Sequence, residues 1–219
     1  MINIRETRFW TAMVVAGLSL LTIGLALPTL RFGQAGLAAD PPMEAARLKP
    51  LLNEAPVAAL AQQRALALAP HPPSEQVAAL TNLLTLTPMS SGAWLELAIA
   101  GNQTGQPMQA VASALAMSTL TGPNEARFMA GRAVFGLPLW DKLPPEVRRS
   151  LVVDLVSGWG EIGEEQHRDL DALLTVASDK TRAQLLAALL LAGKKGEAIG
   201  NALDLAANQP APINEAPKP

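Results

Sequence analysis

The chain has 219 residues, of which 49% are hydrophobic and only 16% charged, with a formal net charge of -2. It has no cysteine, which excludes disulfides, thiolate catalysis and cysteine-ligated zinc. It also lacks a basic patch, the electrostatic footprint of a nucleic-acid binder, so no nucleic acid is expected among its partners.

Residues 9–30, "FWTAMVVAGLSLLTIGLALPTL", carry no charge. About 20 apolar residues cross a bilayer core, so this run predicts one transmembrane helix. Residues 1–31 then form a cytoplasmic stub and a membrane anchor. Arg5 and Arg8 precede the run and Arg31 follows it. With the amino terminus counted, the leading side is the more positive. The positive-inside rule then places the N-terminus in the cytoplasm and the rest of the chain outside it. The alternative is a cleaved signal peptide. "AGLAAD", residues 35–40, offers small residues at Ala38 and Ala39. Signal peptides, however, use apolar stretches of about 7–15 residues, and Arg31 stands between the run and that site. Both readings export residues 40–219. The expected location is a bacterial inner membrane, crossed once, with the C-terminal domain in the periplasm.

Residues 32–42, "FGQAGLAADPP", read as a small-residue linker. Residues 43–207 read as one helical domain. Residues 208–219, "NQPAPINEAPKP", hold four prolines without apolar periodicity and read as a disordered tail. Within the domain, alanine and leucine dominate and β-branched residues rarely alternate, so the fold class is all-α. Ser74 and Glu75 open a helix carrying Val77, Leu80 and Leu84, closed by Pro88. Asn124 is the expected cap of the next helix to announce itself. Pro144 and Pro145 suit a first helical turn, followed by Val147, Leu151, Val152 and Leu155. Leu170, Leu173, Leu174 and Ala177 repeat the spacing. Asp179 is the expected cap of a helix carrying Leu185, Leu186, Leu189 and Leu190, which Gly193 stops. Ile199, Ala202, Leu203 and Ala206 form a last stripe. Helices this short, joined by short gaps, imply antiparallel hairpins.

A 34-residue helix-hairpin pattern has Trp, then Leu, a small residue, Ala and Pro at fixed offsets. Trp94, Leu97, Ala98, Ala110 and Pro123 follow it. One repeat later Phe128 takes the Trp place, but Gly131 and Arg132 hold the Leu and small-residue places. One repeat earlier Leu60 takes the Trp place, Leu80 a later apolar place, and Pro88 lies near the end. Over residues 56–140 the chain thus resembles a degenerate tetratricopeptide-repeat protein. The resemblance implies a short solenoid of stacked antiparallel hairpins with a concave face that binds protein. On the residues alone, Trp94 in "SSGAWLELA" is a wedge between two antiparallel helices, and Ser90 to Gly92 cap the first of them.

No nucleophile elbow, P-loop or dinucleotide fingerprint occurs. The most polar stretch, "GWGEIGEEQHRDLD" (residues 158–171), reads as a solvated helix start, because acidic residues complement a helix N-terminus. The alternative makes Glu161, Glu164, Glu165, His167, Asp169 and Asp171 an acidic site acting on envelope carbohydrate. "GLPLWDKLPPE" (residues 136–146) sets Trp140 in a proline-bounded turn, as a partner-binding side chain or as a pin between hairpins. Trp94, Trp140 and Trp159 are the candidate partner-binding residues; no catalytic, cofactor or metal residue is assigned. The expected function is a membrane-anchored periplasmic scaffold. It would be an accessory subunit of an assembly that makes or exports polysaccharide, and its protein partner would lie in or at the inner membrane.

Overall fold

The computed structural model describes residues 4–68 and 71–205. The tail expected at 208–219 lies outside them. Among the described residues there are eleven α-helices and no strand. They divide into two compact units, Met1–Pro88 and Met89–Pro219, in place of the single domain expected for 43–207.

In the first unit, α1 spans Ile4–Ala35. Within its segment Phe9–Ala35, a stretch of 18 residues has a mean hydropathy of 2.0 and is only 6% buried, so the helix is long and apolar enough to cross a membrane. Such a helix must satisfy its own polar groups. Ser19, Thr22 and Thr29 each donate their hydroxyl to the carbonyl four residues back, at 2.9, 2.8 and 2.9 Å. Pro28 lies inside the helix.

The expected linker at 32–42 is only partly a linker. α1 runs on to Ala35, and α2 (Pro41–Leu48) begins five residues after it. The apolar stripe extends beyond Arg31. Ala35 is fully buried with Leu48, Leu51, Val57 and Ala61, and Phe32 packs on that cluster. Asp40 starts α2 by accepting the Met43 N–H at 2.8 Å, a cap typical of aspartate in extended backbone. Arg47 of α2 donates to the Gln34 carbonyl at 3.1 Å and so caps the end of α1. Two further helices follow: α3 (Ala58–Leu68) packs on α2, and α4 (Pro73–Leu86) packs on α3. Arg64 holds the buried Glu44 with two hydrogen bonds, at 2.7 and 3.1 Å. Those bonds keep the Glu44 carboxyl below the usual range.

The second unit is built from α5 (Ser91–Gln103), α6 (Met108–Thr121), α7 (Ala126–Gly136), α8 (Pro145–Gly158), α9 (Glu164–Thr175), α10 (Asp179–Leu191) and α11 (Lys194–Ala202). Consecutive helices pair: α5 with α6, α7 with α8, α10 with α11. Capping explains several boundaries. Ser90 accepts the Ala93 N–H at 3.3 Å and opens α5. Gly193, at φ +80, ends α10 in the left-handed region that glycine enters without penalty. Two expected caps are off by one residue. Glu125, not Asn124, holds the extended backbone before α7. Ser178, not Asp179, caps α10, accepting the Thr181 N–H at 3.1 Å; Asp179 is the first helical residue.

Apolar side chains collect in two clusters. One joins α5, α6 and α8 through Leu95, Ala98, Val111, Leu115, Val147 and Leu151. The other joins α7 to α11 through Ala133, Trp140, Leu155, Leu170, Leu185, Leu189 and Ile199. A charged node joins four of these helices. Arg132 of α7 is 0% exposed. Its guanidinium meets the Asp154 carboxylate of α8 side-on, at 2.8 and 2.7 Å. Nη1 also reaches the Ser118 carbonyl and the Gly122 carbonyl, each at 3.3 Å, and the Ser91 hydroxyl at 3.4 Å. Burial pushes the Asp154 carboxyl above its ordinary value, and the hydrogen bonds from Arg132 work against that rise.

Candidate partner-binding groove

The turn after α7 cannot continue as an α-helix. Pro138 lacks an N–H donor, and Leu137–Lys142 winds instead as a 3-10 segment. This carries Trp140 inward until it is only 5% exposed. Its indole N–H donates to Gln184 Oε1 of α10 at 3.2 Å. The guanidinium of Arg148, from α8, sits 5.8 Å above the ring and donates to the same oxygen at 3.2 Å. Next to it, both Asp141 carboxylate oxygens lie 2.7 Å from the Thr181 hydroxyl. The segment is therefore fastened to α8 on one side and to the start of α10 on the other. Trp140 was expected in an exposed turn or as a pin between hairpins; its surroundings are those of a pin.

One wall of Trp140 still faces a groove. Leu137, Trp140, Leu170, Leu173, Leu174 and Val176 line a cleft of about 220 Å³ between the 3-10 segment, α9 and the α9–α10 connection. That is below the roughly 300–1,000 Å³ of small-molecule sites, and fits one or two apolar side chains. Val176 stands at its rim 81% exposed, with Leu173 at 43%. The polar side chains on the lining, Asp141 and Thr181, are engaged with each other. The cleft thus sets apolar side chains beside the Asp141–Thr181 pair, is braced from both sides and is open to solvent.

The three candidate tryptophans do not converge on one surface. Trp140 and Trp159 belong to the same cluster, whereas Trp94 packs on the other. Trp94 keeps a minor part of its surface exposed and packs on the α5–α6–α8 cluster. Trp159 is also partly buried; its ring centre lies 4.3 Å from that of His167. Glu161, Glu164, Glu165, Asp169 and Asp171 are all exposed. Among the described residues no three His, Asp or Glu side chains form a group that would hold a metal ion. The Gly163 N–H donates to Gln166 Oε1 at 3.1 Å and caps α9, as expected of a helix start. His71 is half-buried, 3.4 Å from the Ala65 carbonyl.

Sequence reasoning missed the groove rim. Leu173 was read as core and Val176 was not singled out. The signal was present in "LLTVAS", where Val176 follows the last helical residue, Thr175. No protein-family model, curated protein or solved structure matches the chain.

Proposed function

We propose that this chain is a membrane-anchored helical docking protein, whose second unit holds a protein partner by an apolar side chain seated in the groove over Trp140. The observation that carries the reading is the braced, open cleft with Val176 at its rim. Large exposed apolar side chains clustered at a groove are characteristic of protein-binding surfaces. The apolar α1 supports the anchoring half of the reading. The charge asymmetry across it, with Arg5 and Arg8 before and Arg31 after, supports an exported, periplasmic location. Confinement to the membrane raises the partner's effective concentration at the groove. An accessory role in a polysaccharide-handling envelope assembly, on a tetratricopeptide-like scaffold, is the specific form we favour. It rests on the spacing of Trp94, Leu97, Ala98, Ala110 and Pro123.

A photo-reactive residue in place of Val176 tests the groove. It is expected to crosslink to one protein in intact membranes. Val176→Asp should lose that partner in co-purification while the unfolding midpoint holds, because exposed substitutions usually shift stability by within about 0.5 kcal/mol. Membranes that yield no adduct from position 176 would sink the reading.

A further inference from the structure

At the end of α1 the apolar face of the anchor runs into a charged cleft. Ile23, Leu27, Leu30 and Leu37 follow one another along a single shallow apolar groove. Gln34 and Leu37 belong both to this groove and to a cleft of about 460 Å³ lined by Arg31, Ala35, Arg47, Pro50 and Leu51. The two surfaces are therefore continuous, apolar along the helix and cationic at its end.

These two arginines differ from Arg64 of the same unit. Arg64 is committed to Glu44 at 2.7 Å. Arg47 is held in place by neutral groups, the Gln34 carbonyl at 3.1 Å and the Met43 sulfur at 3.5 Å, which fix its position without cancelling its charge. Arg31 approaches Glu54 only at 3.9 Å and keeps 56% of its side chain exposed. A guanidinium offers five N–H donors in a planar fork that matches phosphate oxygens. Arg31 comes directly after the uncharged run, at the depth where lipid headgroups lie.

We propose that this cleft binds the headgroup phosphate of an anionic phospholipid from the bilayer that α1 spans. Arg31 and Arg47 grip the phosphate from two elements, and an acyl chain lies along Ile23, Leu27 and Leu30. Anionic headgroups favour such juxtamembrane arginines, and the apolar groove selects a lipid over a soluble phosphate. The site rests on the membrane-anchor reading of α1.

The test uses the full chain in nanodiscs of phosphatidylcholine with a minor fraction of phosphatidylglycerol, with retained lipids counted by native mass spectrometry. Phosphatidylglycerol should be enriched severalfold over its bulk fraction. Arg31→Gln should reduce the enrichment, and Arg31→Gln with Arg47→Gln should abolish it. Arg64→Gln, on the committed arginine, should leave it intact. Far-UV circular dichroism checks that each variant keeps its helices. Absence of enrichment in the wild type, or enrichment that survives the double variant, overturns the site. Displacement by inorganic phosphate in the buffer overturns the lipid assignment. A chain that washes out of the disc overturns the anchor reading and the site together, an outcome distinct from retention without enrichment.

Discussion

Arg132 carries a full charge into the second unit, where removing an ion from water costs several kcal/mol unless it is matched. It is matched here by Asp154 and by oxygens on α5, α6 and the turn after α6. Removing one partner leaves the other buried and uncompensated. Asp154→Ala is therefore expected to lower the unfolding free energy by about 3–5 kcal/mol, read from denaturant titration. Replacing both partners with apolar side chains of similar volume should cost less than either single truncation. A near-neutral Asp154→Ala would mean that the guanidinium finds another counter-charge. The node was not legible in the sequence for a physical reason. A lone arginine reads as a solvated side chain, and its carboxylate lies 22 residues away on another helix. At the neighbouring position, Gly131 sits where an added Cβ would meet Leu95 at 2.9 Å. The two residues that break the repeat spacing are thus a close contact and a buried charge.

At the scale of elements, α7 and α8 approach closely at Gly158. A Cβ there would lie 2.5 Å from the Ala130 backbone nitrogen and 3.1 Å from the Ala126 carbonyl oxygen. Backbone cannot swing aside as a flexible side chain can. Gly158→Ala should push the end of α8 away from α7 and destabilise the unit by roughly 1–3 kcal/mol. Thermal unfolding would show it, and a variant as stable as the wild type would mean that the helices separate freely. The helices themselves were legible, because leucine and alanine recur at helical spacing and the prolines and Gly193 mark several ends. Caps slipped by one residue where two adjacent polar side chains competed, as at Ser178 and Asp179. The groove was not legible. It is assembled from a 3-10 turn and two helices, and Asp141 and Thr181, which fasten it, are 40 residues apart.

For the molecule as a whole, the exported reading makes a prediction independent of any partner. A reporter active only outside the cytoplasm, fused after Pro219, should be active when the chain is expressed in a bacterium. A silent reporter, with the fusion intact by immunoblot, would reverse the orientation inferred from Arg5, Arg8 and Arg31. The composition announced the apolar segment but not how it ends. Its last turn was read as linker because glycine and alanine are frequent there, yet Ala35 is fully buried in the first unit's core.

On the proposed anchoring, that burial changes what α1 is mechanically. A flexible tether would let the first unit swivel above the bilayer. Here α1 continues into the core, and Arg47 clasps its Gln34 carbonyl from the next helix. On the membrane-anchored reading, the span and the first unit are one continuous piece of structure. Any tilt that lipid thickness imposes on α1 is passed on, as a lever passes it, into the height and angle at which that unit stands over the membrane.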